Sequence, residues 1–314
     1  MKVLVTDGLE AEAVAKLRAA HEVDLIDAPP ERLLELIGSY NAIVVRSRTK
    51  VTTEVIERGA KLKVIARAGV GVDNIDVAAA TRRGVPVVNA PAASTISVAE
   101  LTLAHMLSLA RQIPQAHGST SAGRWEKKGF EGTELFGKTL GLVGSGRIGA
   151  EVASRAKAFG MRTIAYDPYL PAAVAAERGI ELVSLEALLL DADFVSIHAA
   201  LTDETRHLIG AKQLSLMKRS AFLVNCARGG IVDEGALAAS LRNEELAGAA
   251  LDVYETEPPV GSPILAAKHT SLTPHLGAAT REAQIRVGET IAEEVLRVLA
   301  GENPRFVVNR EVLG

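Results

Sequence analysis

Along the first ninety residues, short β-type runs alternate with stretches whose apolar residues recur at helical spacing. The runs at 2–6, 23–26, 42–45, 64–67 and 86–88 are rich in Val, Ile and Leu and too short for helices, so they read as strands. Parallel neighbours need a crossover, and the amphipathic connections here are helical. The alternation therefore predicts a parallel sheet covered on both faces.

An almost wholly apolar helical stretch from about 94 to 116 leads into a second alternation, with strands at 139–143, 162–166, 194–197, 221–225, 247–251 and 270–273. Six strands suit a complete doubly wound sheet. Residues 280–300 read as one more long helix, and the β-type run 305–308, which the second sheet does not need, is assigned to the first. The expected architecture is two doubly wound parallel-sheet, Rossmann-like α/β domains with a cleft between them. The first is discontinuous, 1–97 plus 286–314, and the second spans 98–285. Residues 118–138 read as neither helix nor strand, yet they hold the only tryptophan, Trp125, with Arg124, Lys127 and Lys128. They suit a surface loop or an arm that packs on another subunit, and a homodimer or homotetramer is expected.

Composition narrows the function. A chain of 314 residues with 48% hydrophobic and 23% charged residues can bury a sizeable core without metals or disulfides. With 35 basic and 38 acidic residues the net charge of −3 supplies no long-range attraction for nucleic acid or an anionic membrane. The single cysteine, Cys226, cannot close an intrachain disulfide, and its rarity points to a reducing compartment, with the cytoplasm as the expected location. The apolar run 3–5 is broken by Asp7, and the stretch 98–110 by Glu100 and His105, so neither a signal peptide nor a membrane span is expected.

The sharpest chemical signal is Gly144-Ser145-Gly146-Arg147-Ile148-Gly149, a G-x-G-x-x-G pattern. In a chain with 27 glycines the pattern alone is weak. Here it follows an apolar β-run and opens a helix whose Ile148, Val152, Ala156 and Phe159 fall on one face, where a dinucleotide pyrophosphate would meet the helix N-terminus. Gly144 allows the tight turn, Gly146 lets backbone approach the phosphates, and Gly149 lets helix and strand pack closely. Asp167 ends the next β-run, where a carboxylate accepts from ribose hydroxyls and repels a 2′-phosphate. NAD is therefore expected over NADP.

Downstream lie Asn225-Cys226-Ala227-Arg228-Gly229-Gly230, then Leu251-Asp252-Val253-Tyr254-Glu255-Thr256-Glu257-Pro258, then Thr273-Pro274-His275-Leu276-Gly277. With the glycine loop, these blocks resemble the D-2-hydroxyacid dehydrogenase family over essentially the whole chain. Within it, Arg46-Ser47, Lys50-Val51-Thr52, the run from Arg67 to Asn74 and Arg111-Gln112-Ile113-Pro114-Gln115 look most like the members that oxidise 3-phospho-D-glycerate to 3-phosphohydroxypyruvate. The resemblance puts the catalytic trio on Arg228, Glu257 and His275. His275 would take the hydroxyl proton, Glu257 would hold its other ring nitrogen, and Arg228 would bind the substrate carboxylate. It further implies that Asp252 holds the nicotinamide carboxamide, that Cys226 and Ala227 line the nicotinamide pocket, that Gly277 belongs to the cofactor site, and that Arg147 and Ile148 meet the pyrophosphate. Cys226 suits equally a small buried apolar position. No metal is expected.

Arg46 and Arg67 end two strands of the first sheet, where open α/β sheets place ligands, and with Gly69 they are the expected site of a substrate phosphate. By resemblance, Arg124 or Lys127 of a neighbouring arm would assist. Three positions depart from the family pattern. Ala200 replaces a proline in the turn flanking the adenine site, and Val70 replaces a hydroxyl residue near the cofactor. The sequence ends at Gly314 without a regulatory extension, so feedback inhibition by serine through one is not expected. The alternatives are hydroxypyruvate or glyoxylate reduction, which needs less positive charge than Arg46 and Arg67 supply, and a corepressor-like dinucleotide sensor, which would not need Glu257 and His275.

Overall fold

A computed structural model describes residues 1–314 and divides them into two compact units, Met1–Ser94 with Ala278–Gly314, and Thr95–Gly277. These boundaries give residues 95–97 to the second unit and 278–285 to the first, the reverse of the division drawn from the sequence.

The first unit holds β1 (Lys2–Val5), β2 (Glu22–Leu25), β3 (Ala42–Val45), β4 (Val64–Arg67) and β5 (Val87–Asn89) in one parallel sheet of order β2-β1-β3-β4-β5. Alternate strand residues face opposite sides. Val3, Val5, Val44, Val64 and Ala66 pack under the helices Ala11–Arg18 and Arg281–Leu299, while Leu4, Ile43, Val45, Ile65 and Val87 meet Leu33, Val55 and Ile56 on the other side. Residues 306–308 lie antiparallel beside β5: Val308 donates to the Val87 carbonyl (2.8 Å), and Val307 bridges Val88. Asn309 secures this segment by accepting from the Val87 amide (2.8 Å) and donating to the Val85 carbonyl (3.0 Å).

The second unit holds β6 (Thr139–Val143), β7 (Arg162–Tyr166), β8 (Glu181–Leu182), β9 (Phe194–Ile197), β10 (Phe222–Asn225), β11 (Gly248–Leu251) and β12 (Thr270–Leu272). Their order is β12-β11-β10-β9-β6-β7-β8, all parallel, and the winding reverses between β6 and β9. The sequence predicts six strands; the seventh, β8, is a two-residue edge led by an exposed glutamate and carries no apolar run to mark it. The expected continuous helix over 94–116 is instead two, Thr95–Ala110 and Ile113–Ser121. Pro114 cannot occupy a helix interior but suits a first turn, and the chain breaks at Gln112, whose φ of 50° is left-handed. The end of the second helix, 118–121, and a short 3-10 turn, Lys127–Phe130, also fall within the segment read as irregular. Trp125 there is 85% exposed. Phe159 caps the helix Arg147–Ala158 and is 42% exposed, so the packed face of that helix is Val152, Ala153 and Ala156 without it.

Candidate active site

At the point where the second sheet reverses its winding, β6 runs into the glycine loop. Gly144 has φ +88°, and a Cβ there would lie 2.9 Å from the His198 carbonyl carbon and oxygen and from the Ala199 amide, so the turn closes directly on the end of β9. A Cβ on Gly149 would meet the Gly144 oxygen at 2.6 Å, which is the close helix–strand contact expected of it. Around Gly146 no atom lies within 4 Å of where a Cβ would be, leaving its backbone open to a ligand. The helix Arg147–Ala158 starts there with no side-chain cap, so its first amides, those of Arg147 and Ile148 included, point at this opening. Asp167 follows β7 and accepts from the Ser145 amide (2.8 Å) and the Tyr169 amide (3.0 Å), placing its carboxylate at the loop. Arg178, which the sequence did not single out, donates to the Ser145 carbonyl (2.9 Å). An open glycine backbone, a helix N-terminus and an adjacent carboxylate fit a dinucleotide with free ribose hydroxyls.

The loops after β10, β11 and β12 carry Arg228, Glu257 and His275, the expected catalytic trio. His275 Nδ1 lies 2.8 Å from Glu257 Oε2. A carboxylate can only accept, so Nδ1 carries the proton and Nε2 keeps its lone pair, on a side chain that is 49% exposed. The Glu257 hydrogen bond raises the imidazole above its ordinary 6.5 against the opposing effect of burial, and the nearby charges of Glu257 and Asp252 add to it while Arg228 subtracts. Burial by itself would raise the Glu257 carboxyl, but the hydrogen bond and charge of His275, with the Tyr254 amide and the Arg228 charge, hold it below its usual range. Arg228 thus acts on both members of the pair. Asn225 shapes its loop by donating to the Arg228 carbonyl (2.9 Å) and accepting from the Ala227 amide (3.0 Å). Cys226 is buried among apolar side chains, and burial pushes its thiol up to about 12, which leaves it unreactive.

Asp252 lies beneath the His275 turn. Its side chain is fully buried, and its carboxylate accepts from the Leu276 amide (2.7 Å), the Thr273 hydroxyl (2.6 Å) and the Gly277 amide (2.8 Å). Those bonds pin the turn just after His275, whose own backbone is left-handed at φ 56°. Asp252 and Gly277 thus build a platform beneath the imidazole.

In the first unit, Arg46 and Arg67 stand at the C-terminal ends of neighbouring strands, with Val45 and Arg67 in register. Asp7 holds the Arg46 loop by accepting from the Arg46 amide (2.8 Å) and the Thr49 amide (3.0 Å) and hydroxyl (2.6 Å), and Asn74 donates to the carbonyls of Arg46 and Thr49. The Arg46 guanidinium meets Gln284. Gly69 has φ +149°, and a Cβ on it would fall 1.5 Å from Arg67 Nη1, so the tip of this guanidinium occupies the space that only a glycine leaves open.

Residues 103–277 match the family model described as D-isomer specific 2-hydroxyacid dehydrogenase, NAD binding domain. The D-3-phosphoglycerate dehydrogenase of Methanocaldococcus jannaschii is 53% identical over 311 residues, which cover 98% of this chain and 59% of that protein. The chain therefore spans about three-fifths of the length of that relative. Among solved structures, the Thermus thermophilus protein TT0316 is 39% identical with a TM-score of 0.89, covering 98% of this chain and all of that one. A glyoxylate reductase from Paecilomyes thermophila is 32% identical with a TM-score of 0.90, covering 99% of each chain. No helix is long and apolar enough to cross a membrane. With more than half its residues under the family model, and with full-length structural likeness at such identities, the chain belongs to the D-isomer specific 2-hydroxyacid dehydrogenases.

Proposed function

We propose that the chain oxidises 3-phospho-D-glycerate to 3-phosphohydroxypyruvate with NAD, and that Arg228, Glu257 and His275 carry the reaction. The observation behind this reading is the His275–Glu257 pair at 2.8 Å with the Arg228 charge acting on both. When bound, NAD supplies the acceptor for the hydride leaving C2. His275 Nε2 takes the C2 hydroxyl proton, and Glu257 holds Nδ1–H and offsets the positive charge that forms on the ring. Arg228 binds the C1 carboxylate through its planar fork and polarises the C2 oxygen. In the reducing direction the same ring returns the proton.

Gly144, Gly146 and Gly149, with the amides of Arg147 and Ile148, are assigned to the pyrophosphate, Asp167 to the ribose hydroxyls, and Ala227 to the edge of the nicotinamide pocket. Arg46, Arg67 and the Gly69 backbone are assigned to the substrate phosphate, because a dianion needs cations and backbone donors that a lactate or glyoxylate site does not. The phosphoglycerate dehydrogenase relative supports that assignment through its name. The exposed Trp125, beside the basic residues of its arm, suits packing on a second copy in a homodimer or homotetramer. The lone cysteine suits a reducing cytoplasm.

The test is initial NADH formation from 3-phosphoglycerate, glycerate and D-lactate at equal concentrations, with NADP as a second cofactor arm. The expected order places 3-phosphoglycerate at least about tenfold ahead in kcat/KM, in line with charge-assisted recognition of the phosphate. Equal rates on glycerate would remove Arg46 and Arg67 from the substrate site, and no NADH from any of the three would refute the reading.

A further inference from the structure

His105 interrupts the most apolar helix of the chain, and the proton chemistry just described does not use it. It is buried, 3% exposed, on the helix Thr95–Ala110. Its Nδ1 lies 3.0 Å from Ser271 Oγ and its Nε2 lies 3.1 Å from Thr273 Oγ1, both on the chain entering the His275 turn. Burial lowers its pKa, against a smaller opposing pull from Asp252, so the ring is neutral with one donor nitrogen and one acceptor.

The direction of every bond in this cluster follows. Thr273 spends its only hydroxyl proton on Asp252 Oδ1 (2.6 Å). Its oxygen must then accept from His105, which puts the ring proton on Nε2 and leaves Nδ1 to accept from the Ser271 hydroxyl. The result is a one-way chain from Ser271 through His105 and Thr273 to Asp252, and Asp252 in turn grips the amides of Leu276 and Gly277 behind His275.

We propose that His105 is a positioning residue for His275, acting through Thr273 and Asp252 to hold the left-handed turn that aims the catalytic imidazole. A leucine at 105 would fill the space but leave the Thr273 oxygen with a buried unmatched lone pair and a hydroxyl free to turn from Asp252. The turn would then lose one of its fixed points. The glycine loop, Asp167 and Arg178 lie on other elements and share no bond with this chain.

This proposal rests on His275 being the proton acceptor of the preceding reading, and the experiment separates the two. Wild type, His275→Ala, His105→Leu, His105→Gln and Thr273→Val are compared for kcat and KM with 3-phosphoglycerate and NAD, for NADH affinity by fluorescence titration, and for thermal unfolding. His105→Leu is expected to lower kcat about tenfold to a hundredfold, the scale set by a misplacement of about 1 Å at a reacting group, with NADH affinity within about twofold. His105→Gln, whose side-chain amide can donate to Thr273 as Nε2–H does, is expected to recover most of that loss. Should His105→Leu fail to fold, Thr273→Val is read in its place with the same expected split. The proposal is overturned if kcat of the folded variant stays within about twofold of wild type, if NADH affinity falls in parallel with kcat, or if His105→Gln recovers nothing. A wild type that forms no NADH, or a fully active His275→Ala, overturns the functional reading instead.

Discussion

Replacing Gly229 with alanine tests whether the assembly of the proton site depends on one close contact between loops. A Cβ at 229 would sit 1.7 Å from the Tyr254 carbonyl oxygen and 2.8 Å from the Glu255 amide nitrogen. Both neighbours are backbone, so no side chain can swing out of the way. Restoring a tolerable 3.0 Å requires the loops to part by about 1.3 Å, and roughly 1 Å of misplacement at a reacting group costs about a hundredfold in rate. The two loops are those that matter: Arg228 precedes Gly229 directly, and the Tyr254 amide donates to Glu257 Oε1 (3.2 Å). Gly229→Ala should therefore lower kcat/KM for the hydroxy acid about a hundredfold and stability by about 1–3 kcal/mol, the cost of overpacking. NADH affinity should hold, because the glycine loop is secured separately by Asp167 and Arg178. Gly118→Ala is the control, since its Cβ would meet no atom within 4 Å and its helix gains from alanine. Steady-state rates, NADH titration and thermal unfolding on the three proteins decide the matter. A Gly229→Ala enzyme with kcat/KM within about threefold of wild type and an unchanged melting temperature would show that the Arg228 and Glu257 loops need not touch.

Gly69→Ala presents the opposite case, because the atom its Cβ would strike, Arg67 Nη1, ends a flexible side chain. The guanidinium should swing away, raising KM for 3-phosphoglycerate while the rate on glycerate is unchanged, with about 1–3 kcal/mol lost to the positive φ; equal effects on both substrates would remove Arg67 from the phosphate site. Asp167→Asn keeps an acceptor for the Ser145 amide but removes the charge that repels a 2′-phosphate, so the ratio of kcat/KM for NAD over NADP should fall, and an unchanged ratio would contradict the role of Asp167. In oxidation the deprotonated imidazole is the active form, so kcat/KM should drop as pH falls through the raised pKa of His275, with its midpoint above 6.5. Glu257→Gln removes the main cause of that raised value, so the acid limb should move to lower pH while the maximal rate falls; a limb that stays in place or moves up would refute the pairing as the cause.

Central strands such as β3 and β6 were legible because burial on two faces makes them continuous apolar runs, and β8 was not because an edge of two residues needs no such run. The helix break at Gln112 was written in Pro114, but the apolar period on both sides of it masks a break that depends on one residue's geometry. At the site, what could be read was residue type. A histidine, a glutamate and an arginine are the types that the proposed proton acceptor, its carboxylate and an anchor require, and the 2.8 Å pair brings the first two together. The supporting contacts could not be read. Asp252 looks, as a type, like a hydrogen-bond acceptor for any donor, and only the fold shows that Leu276, Thr273 and Gly277 have already claimed it. Gly229 is one glycine of 27 until Tyr254, 25 positions on, is brought to within a bond length or so of its missing side chain. Arg178 and His105 belong to no motif at all, since each acts through a hydrogen bond to a segment more than thirty residues away. Reacting groups are constrained by chemistry, which fixes residue type and so leaves a trace in one dimension. The groups that hold them are constrained by distance, which different residue types can satisfy, and their trace exists only in three.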